Sequence, residues 1–237
     1  MREVALRRID GSRGDDVTTK GILMAIGSAR GRITIDLFTT LDGVQQAPGG
    51  PDEDPSDGFR FGGWQAPLSD VMVGEEVMTG MEGMDALLLG RRTYDIFAGY
   101  WPLHTRGEDG EIGQLFDSIP KYVASRGTPR LDWRGSSQLG PDVLADADAL
   151  RDRHRNVHVI GSIDFARTLF DAQLFDELKL WVYPIVLGSG KKLFGEGRVP
   201  AKLRMVEAPV TSTNGVVLLR YAPDGVPEVG DMTSAAD

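Results

Sequence analysis

Residues 85–94 read DALLLGRRTY, and the predicted fold is organised around this stretch. Its apolar run, residues 86–89, shows little alternation, which is typical of a strand buried on both faces. The run stops at Gly90, and a helix is predicted to follow. A strand that passes through a glycine into a helix directs free backbone N–H groups at one place. Together with the guanidinium groups of Arg91 and Arg92, such a place can hold a phosphate. A tight turn with solvated arginines explains the same residues, and the motif alone leaves both interpretations open.

The composition is that of an ordinary globular protein. Of the 237 residues, 41% are hydrophobic, which is enough for one sizeable core. The net charge of −9 and the pI near 4.9 argue against a nucleic-acid partner, because binding a phosphate backbone needs a basic face. The chain has no cysteine, which excludes disulfides, thiolate catalysis and cysteine metal sites. No apolar run approaches the ~20 residues of a membrane span, and the start lacks the apolar core of a signal peptide. We therefore expect no membrane partner and a cytoplasmic location.

Strands and helices are predicted to alternate through the first two-thirds of the chain. The predicted strands in this part lie at residues 32–41, 86–89, 120–125 and 156–160. The predicted helices lie at residues 69–83, 94–100, 143–155 and 164–172. Ser69 is expected to cap the first of these helices, and residues 103–114 are interpreted as a polar loop. This alternation predicts an α/β sheet that is mostly parallel.

The last third of the chain predicts antiparallel strands. An apolar strand at 180–187 contains Pro184, which indicates an edge strand or a bulge. Two further strands, 203–208 and 215–221, are joined by a hairpin turn at Thr213-Asn214-Gly215. We therefore expect one α/β domain with a C-terminal antiparallel hairpin. Its predicted bounds are 31–222, between a loosely ordered extension at 1–30 and a disordered tail at 223–237.

Polar and small residues follow three of the predicted strands. Asp42 comes at the end of the first strand, where ligands bind in α/β sheets. Its side chain can equally hydrogen-bond its own turn, so both roles remain open. Ser125 and Arg126 follow a later strand, and Gly161 and Ser162 follow another. These junctions repeat the pattern of the first stretch and are candidate phosphate contacts.

A long loop at residues 45–63 separates the first strand from the first helix. Loops of this length in compact domains are usually functional or disordered, and three aromatic residues at its end, Phe59, Phe61 and Trp64, favour function. A lid over a planar ligand would use such side chains. The alternative is a hydrophobic anchor that holds the loop to the core.

These motifs resemble the dihydrofolate reductase superfamily, most closely its branch related to the reductase domain of bacterial riboflavin biosynthesis. The resemblance covers about residues 31–222. It depends on TLDGV at 40–44, LLLGRRTY at 87–94, PKYVASR at 120–126, VIGS at 159–162 and LFDELKLWVYPIVLGSGKKLF at 174–194. The resemblance implies a dihydrofolate-reductase-like three-layer α/β sandwich that forms a single reductase domain.

The resemblance also implies an NADPH site, in which a guanidinium fork would suit the adenosine 2′-phosphate. The cofactor-binding residues that it implies are Leu41, Gly43, Gly90, Arg91, Arg92, Thr93, Ser125, Arg126, Gly161, Ser162 and Ile163. It further implies that Phe59, Trp64 and Pro184 contact the substrate, and that Asp42 is the catalytic acid or a substrate anchor. No metal ligand is implied.

The expected function is transfer of a hydride from NADPH to a small heterocyclic substrate resembling a pterin, a pyrimidine or a flavin. A second hypothesis is a non-catalytic module that binds a nucleotide or a pterin-like ligand on the same fold. Ile163 and Asp164 favour this second hypothesis, because related reductases often have a glycine at position 163 and a carboxylate opposes a pyrophosphate. The resemblance implies a homodimer.

Overall fold

A computed structural model describes residues 30–232 of the chain. From Gly31 onward the described residues belong to one compact unit. The predicted extension at 1–30 lies outside the described residues apart from Arg30, so it stays a prediction. Residues 224–231 contain no helix or strand, and the disorder predicted for the tail is likewise untested. None of the helices in the described part of the chain is long and apolar enough to cross a membrane.

The described residues form a single nine-stranded sheet. Its strands are β1 Arg32–Thr40, β2 Ala86–Gly90, β3 Lys121–Ala124, β4 Ser136–Gln138, β5 Asn156–Ile160, β6 Glu177–Tyr183, β7 Leu203–Met205, β8 Val210–Thr211 and β9 Val217–Pro223. They lie in the order β4-β3-β2-β5-β1-β6-β9-β7, and β8 also pairs with β9. The pairs from β4 to β6 are parallel, and the pairs of β9 with β6, β7 and β8 are antiparallel. The predicted α/β class, with a mostly parallel sheet and antiparallel C-terminal strands, is confirmed.

Helices cover both faces of this sheet. They are α1 Val71–Gly80, α2 Arg91–Tyr100, α3 Gly110–Ser118, α4 Val143–Leu150 and α5 Ile163–Asp171. On one face, Ile33 and Ile35 of β1 pack with α4 and α5. On the other face, Phe38 of β1 packs with α1, while α2 and α3 cover β2 and β3. The alternation of β1 therefore places one set of side chains in each of two cores, and the result is a three-layer sandwich.

The helix boundaries correct two expectations. The interpretation of residues 103–114 as a polar loop is wrong in its second half, because α3 begins at Gly110. A Cβ atom on Gly113 would lie 2.1 Å from the carbonyl oxygen of His104, so the glycine permits a close approach and does not break the helix. The cap of α1 is Asp70 and not Ser69, since the Asp70 carboxylate accepts the Val73 N–H at 3.0 Å.

The C-terminal strands correct another expectation. β6 ends at Tyr183, so Pro184 follows the strand, and β6 lies inside the sheet between β1 and β9. The prediction of an edge strand or bulge was wrong because the apolar run continues past the end of the strand. The predicted hairpin turn at 213–215 is confirmed between β8 and β9.

Candidate functional site

The carboxyl ends of five parallel strands form one row. In spatial order these strands are β3, β2, β5, β1 and β6. With about 4.8 Å between neighbouring strands, the row is about 19 Å long, which is comparable to an extended dinucleotide. All the predicted site residues except Phe59 and Trp64 lie at these strand ends or directly after them. The structure thus brings together at one edge what is scattered along the chain.

Two strand–glycine–helix junctions interlock in the middle of this row. The Gly90 N–H, at the end of β2, donates to Ser162 Oγ at 2.9 Å. The Ser162 N–H, just before α5, donates in return to Thr93 Oγ1 at 3.0 Å. Each junction therefore uses a side chain of the other, and Gly90, Thr93 and Ser162 form one unit.

The backbone of the second junction requires an unusual conformation. Gly161 has a φ of 61° and Ser162 a φ of 54°, both in the left-handed region. Gly161 adopts this conformation without strain, whereas Ser162 is held there by its two reciprocal hydrogen bonds. A Cβ atom on Gly161 would meet Thr93 Cγ2 at 3.6 Å, so the backbone here is packed closely against the first turn of α2.

The N-termini of α2 and α5 are not capped by side chains. Neither Gly90 nor Ser162 makes a side-chain cap hydrogen bond to its helix. The first N–H groups of a helix without such a cap can bind an anion, aided by the helix dipole. Ile163 begins α5 and is half-buried. The Asp164 carboxylate is exposed and pairs with Arg167 at 2.8 Å, which offsets its charge.

The two arginines of the GRRT motif have different partners. Arg91 Nε bonds both carboxylate oxygens of Asp95, at 2.8 and 2.7 Å, in an exposed pair on α2. Arg92 reaches the long loop, where its NH1 atom lies 3.1 Å from Asp54 Oδ1. Both guanidinium groups are exposed, as the solvated alternative expected, but each is paired with a carboxylate.

Ser125 and Arg126 lie beside the GRRT motif without touching it. In the parallel register, Gly90 pairs with Ala124, so Arg91 and Ser125 follow neighbouring strand ends at the same level. Ser125 Oγ accepts the N–H of Gly127, and Arg126 is exposed. No hydrogen bond or ion pair joins them to Arg91 or Arg92 among the residues described.

Asp42 ties the end of β1 to the segment after β6. Its carboxylate accepts hydrogen bonds from Thr40 Oγ1 at 2.6 Å and from the N–H groups of Leu187 and Gly188 at 3.2 and 2.9 Å. Burial raises the pKa of Asp42, but these bonds and the Lys192 charge outweigh it and lower the pKa to about 2. The side chain is therefore ionised near neutral pH and holds no proton to donate there. Its contacts match the turn-stabilising alternative.

The residues on either side of Asp42 also lie where the end of β1 meets the segment after β6. The Leu41 N–H donates to the carbonyl of Ile185 at 2.9 Å, although the Leu41 side chain is 64% exposed. Gly43 completes the turn with a φ of 82°. Pro184 is exposed and directly precedes Ile185. Leu41, Gly43 and Pro184 therefore lie together at the β1–β6 end of the row.

The long loop is anchored to the core by two of its aromatic residues. Trp64 is buried, donates its Nε1–H to the Gln46 carbonyl at 2.8 Å and packs edge-on against Tyr183. Phe59 is buried next to Gly190. These contacts are those of the anchor alternative, and the contact of Phe59 and Trp64 with substrate stays a prediction.

Tyr183, which lies beneath this loop, has a buried hydroxyl. Its side chain is fully buried, and its hydroxyl makes no hydrogen bond of normal geometry in the described part of the chain, although the side chains of Gln65 and Ser69 lie close enough to lower its pKa. Burial raises the pKa of Tyr183 to about 12, so the hydroxyl stays protonated. A cavity of about 840 Å³ lies nearby, lined by α1, the start of α3 and the residues Gln65 and Ser69 that follow the loop.

Two charged residues in this region had no predicted role. Asp54 of the long loop contacts both Arg92 and Lys191. Lys191 belongs to the turn GSGKK, residues 188–192, which follows β6. Within residues 30–232, no group of three or more His, Asp or Glu side chains is arranged to hold a metal ion.

Solved structures of similar fold show the architecture to which this chain belongs. Dihydrofolate reductase from Enterococcus faecalis, in a complex with NADP(H) and RAB-propyl, is 12% identical with a TM-score of 0.50, covering 82% of this chain and 98% of that chain. A putative riboflavin biosynthesis protein from Shewanella sp. PV-4 is 19% identical with a TM-score of 0.55, covering 81% of this chain and 99% of that chain. The protein therefore has the dihydrofolate-reductase-like fold that the motifs predicted.

The family is shown by sequence. The model of the RibD C-terminal domain matches residues 32–218, and the chain belongs to this family. It is also 28% identical over 200 residues to the uncharacterized protein YyaP of Bacillus subtilis (strain 168). This match covers 82% of this chain and 96% of YyaP. The resemblance stated from the motifs is confirmed.

Proposed function

We propose that this protein is an NADPH-dependent oxidoreductase that reduces a small heterocyclic substrate. The observation that carries the proposal is the interlock of Gly90, Thr93 and Ser162 at two adjacent strand–glycine–helix junctions. Such junctions suit the phosphates of a dinucleotide, and the row of strand ends offers the necessary length. Membership of the RibD C-terminal domain family supports the same class of reaction.

The residues present fit such a cofactor. The left-handed Gly161 leaves the backbone open to close approach, and the N-termini of α2 and α5 offer N–H groups. Arg91, with Ser125 and Arg126 on the neighbouring strand end, would hold the 2′-phosphate, and Leu41 and Gly43 would border the nicotinamide. NADPH, when bound, would supply the hydride.

The chain's own residues would orient and enclose the substrate. We propose that the substrate lies beneath the long loop, near Phe59, Trp64 and Pro184. Because Asp42 is ionised, its proposed role is to hold the β1 and β6 ends in place, and ordered water would supply the proton. A loop anchored by Trp64 would keep the site dry during reduction.

A titration with NADPH, followed by fluorescence, tests the cofactor site. The double variant Arg91→Ala/Arg92→Ala should weaken NADPH binding about tenfold or more, equivalent to about 1.4 kcal/mol or more. Arg130→Ala is the matched control, because Arg130 is an exposed arginine paired with Asp132. Unchanged affinity in the double variant would contradict the assigned phosphate site.

A non-catalytic binding module is the second candidate, favoured by Ile163 and Asp164 at the start of α5. The test is oxidation of NADPH across a panel of pterins, pyrimidines, flavins and quinones. Turnover with any of them supports the reductase, and tight binding without oxidation supports the module.

We further propose a cytoplasmic homodimer with no nucleic-acid or membrane partner. Sedimentation measures its oligomeric state. Of the two candidate interfaces, the apolar LWVYPIVL segment at 180–187 and the last hairpin, the hairpin is favoured because β6 lies inside the sheet.

A further inference from the structure

Four side-chain groups converge where the long loop meets the row of strand ends. Asp54 Oδ2 lies 2.5 Å from Lys191 Nζ, and Asp54 Oδ1 lies 3.1 Å from Arg92 NH1. Both cations also donate to Ser56 Oγ, at 2.8 Å from Lys191 and 2.5 Å from Arg92. The Asp54 side chain is only 12% exposed. The cluster thus holds one carboxylate between two cations and a hydroxyl.

The two cations come from separate elements. Arg92 lies in the first turn of α2, beside the interlocked junctions, and Lys191 lies in the turn that follows β6. Nothing in the local sequence requires them to face the same carboxylate. A phosphoryl group has the same preference for a guanidinium, an ammonium and a hydroxyl as the carboxylate that lies there.

We propose that Arg92, Lys191 and Ser56 form a subsite for a phosphoryl group of the ligand, and that Asp54 fills this subsite in the free protein. Binding of the ligand displaces the Asp54 carboxylate into solvent. The inference rests on the proposed function in one respect, since it takes the phosphoryl group to be that of the dinucleotide. Lys191, Ser56 and Asp54 are the residues that it adds to the site.

The loop is built so that Asp54 can leave without unfolding it. Gln46 Nε2 donates to the carbonyl oxygens of both Asp54 and Ser56, each at 3.0 Å. Gln46 is itself 2% exposed, so the loop backbone is held on either side of the cluster. Displacement then rotates the Asp54 side chain and breaks the hydrogen bonds that Asp54 Oδ1 accepts from the Ser56 hydroxyl at 2.6 Å and the Ser56 N–H at 3.3 Å. The freed Ser56 hydroxyl and N–H can then donate to the incoming anion.

Calorimetric titration with inorganic pyrophosphate tests the subsite directly. If the Asp54 carboxylate competes with the anion, Asp54→Asn should bind pyrophosphate about tenfold more tightly than the wild type, because binding no longer has to break the ion pairs of Asp54 with Arg92 and Lys191. Asp52→Asn is the matched control, since Asp52 is an exposed acid of the same loop and its loss changes the net charge equally. Adding Lys191→Met to Asp54→Asn should cancel most of the gain.

Each outcome bears on the inference. If Asp54→Asn binds pyrophosphate no more tightly than the wild type, the inference is overturned, and Asp54 serves only to hold the loop to Arg92 and Lys191. An equal gain in the Asp52→Asn control overturns the inference as well. Asp54→Ser serves as a second variant if the first is unstable by circular dichroism. Failure of the proposed function is distinguishable: a gain with pyrophosphate and no binding of NADPH would retain the subsite and reject the dinucleotide. NADPH binding, with no tighter pyrophosphate binding in Asp54→Asn, would retain the dinucleotide site and reject the subsite.

Discussion

The backbone N–H of Gly90 donates a 2.9 Å hydrogen bond to Ser162 Oγ, which joins the end of β2 to the start of α5. The Ser162 hydroxyl thereby satisfies a backbone donor that lies 72 residues away in the chain. Ser162 also donates its own N–H to Thr93 Oγ1 in the first turn of α2. The spacing between the two helix N-termini is therefore set by direct bonds as well as by packing.

Removing this hydroxyl should destabilise the protein. Ser162→Ala leaves the Gly90 N–H without its partner and should lower the free energy of unfolding by about 1–3 kcal/mol. Ser162→Gly loses the same bond but relieves the left-handed backbone, so its loss should be smaller by about 1 kcal/mol. Urea unfolding of both variants measures the difference. An alanine variant as stable as the wild type would show that the bond contributes nothing.

Asp42 should stabilise the protein in a pH-dependent way. Its pKa is lowered to about 2 in the folded state, so its contribution is present above the ordinary value near 4 and is lost as the pH falls towards 2. Asp42→Asn should therefore cost about 1–2 kcal/mol at pH 7, and the gap to the wild type should close between about pH 4 and pH 2. Unfolding at several pH values checks this, with Asp52→Asn as control. A gap that does not change with pH would argue against the assignment.

His158 should make the protein sensitive to mild acid. It is 4% exposed, and burial together with the Lys179 charge lowers its pKa to about 4. Between about pH 6.5 and pH 4 the unfolded chain takes up this proton and the folded protein does not, so stability should fall by about 2–3 kcal/mol as the pH drops. His158→Gln should lose this part of the pH dependence, whereas His104→Gln should keep it. The same acid dependence in the His158 variant would refute the prediction.

Tyr183 and Trp64 should respond oppositely to removal of their polar atoms. The Tyr183 hydroxyl is buried and makes no hydrogen bond of normal geometry among the described residues, with only Gln65 and Ser69 near it, so Tyr183→Phe should leave stability unchanged or raise it by about 1 kcal/mol. Trp64→Phe loses the 2.8 Å bond to the Gln46 carbonyl and should cost about 1–3 kcal/mol. Thermal unfolding compares the two. A marked loss of stability in Tyr183→Phe would reveal a partner for its hydroxyl.

Much of the fold could be predicted because its strands carry strong local patterns. β5 was predicted with its bounds, and β1 and β2 to within one residue, because β-branched and apolar runs bounded by turn residues report burial directly. The start of α3 was missed, because residues 103–114 are polar and were interpreted as a loop, and the close approach of Gly113 to His104 leaves no local signal. β6 was extended too far, because Pro184 continues an apolar run that the hydrogen bonding does not follow.

The candidate site was predictable only in part. The residues at the strand ends could be named because glycines and polar groups follow apolar runs. The residues that lie next to them in space could not be named, because the order of strands in the sheet and the path of the loop decide which strand ends meet. The contact of Asp54 with Lys191 joins a loop to a turn 137 residues later, and no local pattern reports such a distance.

The position of β1 in the sheet has a consequence for biosynthesis. β1 pairs on one side with β5 and on the other with β6, and the two together span residues 156–183. While the ribosome is still making the first half of the chain, this central strand has neither neighbour and exposes both edges. The central strand therefore cannot complete its pairing until residue 183 has emerged, and this long sequence separation should make folding slow for a protein of this size.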